Sequence, residues 1–118
     1  MRPLLYIAAP YTSPDPVANT HAVCRLAMIV YDETDWCPFV PHLSLLWQAV
    51  TPRPAAHWYE YDLHVLRQCD AIVRLPGESP GADREMDEAH SLGLKIVGFY
   101  DLPREARGEW NLNLLSAK

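Results

Sequence analysis

Four short apolar runs, at residues 3–9, 36–41, 71–75 and 95–100, recur along this chain, with segments of helical length between them. The first, Pro3-Leu4-Leu5-Tyr6-Ile7-Ala8-Ala9, is continuous rather than alternating, as a strand covered on both faces must be. Strands that alternate with helices predict a parallel sheet, because parallel neighbours need a long crossover and a helix supplies it. The expected fold class is therefore α/β: a three-layer sandwich with a mostly parallel, flavodoxin-like or Rossmann-like central sheet of four to five strands. At 118 residues and 49% hydrophobic content the chain can bury one core, so residues 1–118 read as a single domain.

The segments between the runs carry helical periodicity. Val17, His21, Cys24, Met28 and Tyr31 recur at spacings of three and four, which suits the apolar face of a helix running to about Glu33. Pro38 favours an edge position for the run at 36–41. A short helix follows at 43–50, and Thr51-Pro52-Arg53-Pro54 breaks it. A longer helix then spans 55–69, with Trp58, Tyr61, Val65, Leu66 and Cys69 on one face. Another covers about 82–92, with Gly93 as its C-cap, and the strand at 95–100 leads into a last helical segment of weak pattern. In a parallel sheet the loops after Ala9, Val40, Leu75 and Tyr100 open on one edge. Pro10 to Pro14, His42 and the Ser79 loop would then share a crevice.

Charge and composition narrow the function. A net charge of −5, a pI near 5.4 and no cluster of Lys or Arg argue against a nucleic-acid polymer as partner. Cys24, Cys37 and Cys69 are odd in number and lack CxxC spacing, which fits buried, reduced thiols and a cytoplasmic protein. No apolar run approaches the roughly 20 residues of a membrane span. His21, His57, His64 and His90 share no ligand spacing with these cysteines, so no metal and no cofactor is expected. Cys69 reads as core, and Asp70 as an anchor for the strand entry. Trp47, Trp58, Tyr59 and Tyr61 crowd the middle third, more aromatic surface than one helix layer hides, which points to a homo-oligomer, a dimer or higher.

The stretch from Gly77 to Ala89 is where these elements converge. It joins the run at 71–75 to a helix through a Pro- and Gly-punctuated loop, the kind of junction at which free N–H groups and a helix dipole meet ligands. With Ala82 set at zero on a helical wheel, Met86, Ala89 and Leu92 fall at about 40°, −20° and −80°, and Glu85 at about −60°, inside that apolar arc. Asp83, Asp87 and Glu88 fall outside it. On the preceding helix, with Trp58 at zero, Asp62 falls at about 40° among the apolar positions. Counted back from Asp70, Asp62 lies about 12 Å along a helix antiparallel to the strand, level with the strand end where Glu85 begins. A carboxylate buried without partners costs several kcal/mol, so each acid needs a donor or a chemical role. A close pair can divide into nucleophile and proton donor, as in glycosidic cleavage. Each also has a plain structural account: Glu85 as a dipole-complementing acid, Asp62 as a loop cap or the partner of Arg67.

Taken together, the motifs resemble the nucleoside 2-deoxyribosyltransferase superfamily, including its deoxynucleoside 5′-monophosphate N-glycosidase branch. The matching pieces are Tyr6-Ile7-Ala8-Ala9-Pro10-Tyr11-Thr12, Pro38-Phe39-Val40-Pro41-His42, Asp62 with Leu66 and Cys69-Asp70-Ala71, and Ser79-Pro80-Gly81-Ala82-Asp83-Arg84-Glu85 closing on Ala89. The resemblance implies Glu85 as nucleophile toward the anomeric carbon, Asp62 as the acid that assists departure of the base, and Tyr6 as the phenol that orients Glu85. It implies a nucleoside or nucleotide as small-molecule partner, with Ala9, Pro10, Tyr11, Thr12, His42, Ser79 and Gly81 around it. Ser79 resembles the serine that takes the 5′-phosphate in the glycosidase branch. The alternatives are a nucleotide-binding or sensing module on the same fold, and a structural subunit acting through its aromatic surface.

Overall fold

In the computed structural model, which describes residues 1–116, β1 (Leu4–Ala8) is the strand around which the sheet assembles. It pairs in parallel with β2 (Cys37–Phe39) on one side and β3 (Ala71–Arg74) on the other, and β3 pairs in parallel with β4 (Lys95–Val97). The order is β2-β1-β3-β4, an all-parallel sheet of four strands. Pro38 does sit on an edge strand, where its missing N–H leaves no ladder bond unmade. Asp70 anchors the strand entry: its carboxylate accepts the Leu4 N–H at 2.7 Å, and its own N–H reaches the Leu4 carbonyl at 2.9 Å.

The connecting helices are α1 (Pro16–Glu33), α2 (Ser44–Val50), α3 (Ala55–Leu66), α4 (Pro80–Leu92) and α5 (Arg104–Ser116). They form two layers. Leu5, Ile7, Ala71 and Val73 face α1 and α5, while Tyr6, Ala8 and Ile72 face α3 and α4. This is the period-two alternation of a strand expressed on a sheet covered from both sides. No described helix is long and apolar enough to cross a membrane.

Several elements differ from the sequence expectation. The buried stripe of α1 is Asn19, Ala22, Val23, Leu26, Ala27 and Val30, and Val17, His21, Met28 and Tyr31 point to solvent. Apolar residues occur all round this helix, and of the expected face only Cys24 is half-buried against the core. Helix α3 ends at Leu66 rather than Cys69, because Gln68 and Cys69 turn tighter, donating to the carbonyls of Val65 and Leu66 at 2.9 and 3.0 Å. Tyr61 is exposed, and Leu63 takes the place expected of it against the sheet. On α4, Ala82 and Ala89 are buried and Met86 is half-buried, but Leu92 at the last turn faces outward.

Strand β4 stops at Val97. Asp101 accepts the Gly98 N–H at 3.2 Å and folds residues 99–101 into a 3₁₀ turn that buries Phe99 on the α1/α5 side. The weakly patterned last segment is a full helix, fixed by fully buried Ala106 and Trp110, and the Trp110 indole donates to the Pro76 carbonyl at 2.8 Å.

Candidate active site

The site lies beyond the C-terminal ends of β1 and β3, where the chain's connections leave the sheet in opposite directions. This is the crevice at which open parallel sheets take ligands. The strand alternation that sends Leu5 and Ile7 to one layer sends Tyr6 to the other, toward α3 and α4. A one-residue slip of β1 would reverse this, and the Tyr6↔Ile72 register forbids it. Tyr6 is fully buried, and its hydroxyl donates to Oε2 of Glu85.

Glu85 is placed by the start of α4. Ser79 is the N-cap: its Oγ accepts the Ala82 N–H at 3.1 Å, and its carbonyl accepts the Asp83 N–H at 3.0 Å. Pro80 follows at the first helical position, where a missing N–H costs nothing. Arg74, at the end of β3, ties strand to helix: its guanidinium reaches Asp83 at 2.8 Å and the Leu75 carbonyl at 2.6 Å. Gly77 has φ of 127°, and a Cβ there would lie 2.9 Å from the Pro10 ring, so only glycine lets the β3 and β1 loops approach so closely. One helical turn and a half into α4, Glu85 is left 7% exposed.

Asp62, on α3, lines the same cavity as Glu85, and its Oδ1 is buried with no hydrogen-bond partner among the described residues. Arg67 does not serve it, being paired with Glu88 at 3.3 Å. Burial, followed by the charge of Glu85, pushes the Asp62 carboxyl up to about 8. Burial raises Glu85 to about 7 against the opposing pull of the Tyr6 hydrogen bond and of Arg84 and Arg74. Tyr6 is driven far above its usual range by burial first and then by the Glu85 and Asp62 charges, so it stays a donor at every physiological pH. Both carboxyls are thus raised toward neutrality, chiefly by burial, and the two acids titrate as a coupled pair.

The cavity measures about 470 Å³, a volume suited to a nucleoside-sized ligand. Its lining brings together Ala9, Pro10, Tyr11, Thr12, His42, Ser79, Gly81, Asp62 and Glu85, while Tyr6 acts from behind Glu85 and does not itself line it. The loop after Tyr100 does not reach this cavity, since its 3₁₀ turn is folded into the opposite layer. His42 is buried, with Nε2 2.8 Å from the Pro10 carbonyl and its ring edge-on to Tyr11. Burial lowers its pKa, so the ring is neutral and Nε2–H donates to Pro10. Ser79 is engaged as a helix cap.

Residues not assigned to the site from the sequence add to the lining: Gln48 and Arg53 around the end of α2, Tyr59 on α3, and Arg84 beside Glu85. The Arg84 guanidinium lies over the Tyr59 ring at 4.3 Å. Behind the N-terminal loop, buried Asn19 donates to the carbonyls of Tyr11 at 3.0 Å and Ser13 at 3.1 Å, and its own oxygen accepts from Asn113 of α5 at 3.0 Å. Asn19 carried no sequence signal, because a polar residue on a mostly apolar helix reads as solvent-facing. Among the described residues, no group of three or more His, Cys, Asp or Glu side chains is arranged to hold a metal ion.

Fold and site together define a parallel α/β sandwich with buried Glu85 and half-buried Asp62 at the topological switch point. The fold is similar to that of the 2-desoxiribosyltransferase from Leishmania mexicana, with a TM-score of 0.61 and 21% identity over 82% of this chain and 63% of that one. This chain thus spans less than two thirds of that protein's length, and the likeness is one of fold. No protein-family model and no curated protein matches the chain.

Proposed function

We propose that this protein is a member of the nucleoside 2-deoxyribosyltransferase superfamily and cleaves or transfers the N-glycosidic bond of a deoxynucleoside or its 5′-monophosphate. The observation that carries this reading is the hydrogen bond from buried Tyr6 to Glu85, beside a cavity that Asp62 also lines. With Oε2 held by the phenol, Oε1 of ionised Glu85 is the oxygen left to attack the anomeric carbon. The bond from C1′ to the base nitrogen breaks as the C1′–Oε1 bond forms. The electron pair leaves with the base, which takes the Asp62 proton. Asp62, now ionised, accepts a proton from the water or acceptor base that displaces Glu85 from C1′. The same acid thereby acts in both half-reactions.

Helix α2 supports self-association as part of this reading. It buries none of its own residues, and Leu43, Leu46, Trp47 and Val50 all turn apolar surface outward beside the cavity mouth. The three free cysteines fit a reducing compartment such as the cytoplasm.

The decisive test is incubation with a panel of deoxynucleosides and their 5′-monophosphates, with released base as the readout and Glu85→Ala beside the unaltered protein. Release by the protein and its loss in the variant are the expected result. Equal release by both sinks the assignment, and binding without release from any substrate leaves a nucleotide-binding module. Light scattering of the purified protein, expected to give a dimer or higher, tests self-association.

A further inference from the structure

The cavity contains two guanidinium groups that the mechanism above does not use. Arg53 and Arg84 line it, and among the described residues neither is ion-paired: the salt bridges there belong to Arg25, Arg67 and Arg74. The two arginines are held differently. Arg84 rests over Tyr59, and its charge acts on Glu85. The Arg53 side chain has no hydrogen-bond or ion-pair partner among the described residues, yet its backbone is fixed. Pro52 and Pro54 flank it in the sequence, which restricts the backbone on both sides. The Arg53 N–H donates to Oε1 of Gln48 at 2.9 Å, and the Trp58 indole donates to the same oxygen. A short, doubly braced loop thus presents one unpaired cation to the cavity.

The start of α4, the other candidate for receiving an anion, has little left to offer. Pro80 lacks an N–H, the Ala82 N–H is taken by the Ser79 hydroxyl, and the Asp83 N–H by the Ser79 carbonyl. Only the Gly81 N–H remains of the first turn. A cavity that also holds the carboxylates of Glu78 and Glu85 repels an anionic ligand unless a cation receives it. An uncharged nucleoside has no use for an unpaired guanidinium.

We propose that Arg53 is the specificity-determining residue of this site, receiving the phosphate monoester of a nucleoside 5′-monophosphate and so selecting nucleotides over nucleosides. This rests on the proposed function for the identity of the sugar and base, and on the Arg53 loop for the phosphate. The planar fork of a guanidinium meets two phosphate oxygens at once, and the braced loop removes much of the ordering cost of doing so.

Calorimetric titration of the Glu85→Gln protein, which cannot turn over, tests it with four probes: a deoxynucleoside 5′-monophosphate, the matching nucleoside, deoxyribose 5-phosphate and inorganic phosphate. The monophosphate is expected to bind more tightly than the nucleoside by about ten- to a hundredfold, the range of a charge-assisted contact, with the preference shrinking at high salt. Adding Arg53→Ala should collapse that ratio, Arg53→Lys should keep part of it, and Arg53→Glu should invert it. A ratio that Arg53→Ala leaves intact, or a nucleoside that binds as tightly as its monophosphate, overturns the assignment. So does inorganic phosphate or deoxyribose 5-phosphate matching the nucleotide, since the site would then not read a nucleotide. Glu85-dependent base release alongside a ratio indifferent to Arg53 would fell this inference and spare the glycosidic function. An Arg53-dependent ratio without base release from any substrate would do the reverse.

Discussion

The Tyr6 hydroxyl donates its hydrogen to Glu85 across the seam between β1 and α4, joining residues 79 positions apart in the chain. Tyr6 is fully buried and Glu85 shows only its cavity-facing edge, so the bond holds the carboxylate in place. Tyr6→Phe removes the donor and keeps the ring. A hydrogen bond to a charged group is worth about 1.5–3 kcal/mol, so base release should fall by about ten- to a hundredfold. Because the Tyr6 bond holds the Glu85 pKa down, its loss should also move the acidic limb of the pH–rate profile to higher pH. A fall in rate with that limb unmoved would show that Tyr6 acts only through packing.

Glu85 makes folding stability depend on pH. Its carboxyl is raised from 4.5 to about 7 in the folded protein, so between these values the folded chain binds more protons than the unfolded one. Stability therefore falls as pH rises through this window, by on the order of 3 kcal/mol from this residue. Asp62, raised from 3.8 to about 8, adds a loss of the same sign that extends further upward. Denaturant unfolding at pH 5 and pH 8 should show the protein less stable at pH 8, and Glu85→Gln should flatten the difference. A wild-type protein equally stable at both values contradicts the burial of uncompensated acids.

Asp62→Asn deletes the proton donor without changing its shape. A general acid contributes typically about 10²–10⁴-fold, so release of an ordinary base should drop by at least about a hundredfold. A substrate whose leaving group departs without protonation should lose far less. Measuring both substrates with the same variant separates proton donation from a general distortion of the cavity, which would slow the two alike.

Asn19 sits behind the loop that forms one wall of the cavity, and its amide satisfies two carbonyls of that loop. Asn19→Asp keeps the volume but cannot donate at either carbonyl, and Asn19→Ala removes the donors and the acceptor for Asn113 as well. Both should lower thermal stability, by about 1–3 kcal/mol for the stranded polar groups, and weaken nucleotide binding. Asn19→Gln should not restore binding, since its extra methylene displaces the amide. Unchanged affinity in the Asp variant would mean the loop keeps its form without Asn19.

The sequence made the architecture and the acid pair legible for a shared reason. Continuous apolar runs admit only buried strands, and helical phase places Glu85 and Asp62 among apolar neighbours, where a carboxylate stands out. Periodicity failed where apolar residues surround a helix. On α1 the selected face of Val17, Met28 and Tyr31 is the solvent face, while Val23, Leu26 and Val30 carry the buried one and Cys24 packs partly against it. It failed again where the signal is a hydrogen bond. Nothing in the pattern of α1 marks Asn19 as buried, and the Thr51–Pro54 stretch reads as a helix break until Gln48 is seen to brace Arg53 beside the cavity. Ser79 is a cap in the structure, a role its position before Pro80 permits as readily as any contact with a ligand.

The bond between Asn19 and Asn113 spans 94 positions, and the parallel partner of Tyr6 on β3 is Ile72. Such topology has a high contact order, and contact order slows folding because distant closures must be made before they are rewarded. On the ribosome the consequence is one of timing. β1 emerges early but cannot become a central strand until most of the chain has followed, and the N-terminal loop is braced only when α5 arrives. The cavity is thus among the last features to be completed, although Tyr6 comes from one of the first segments to be made.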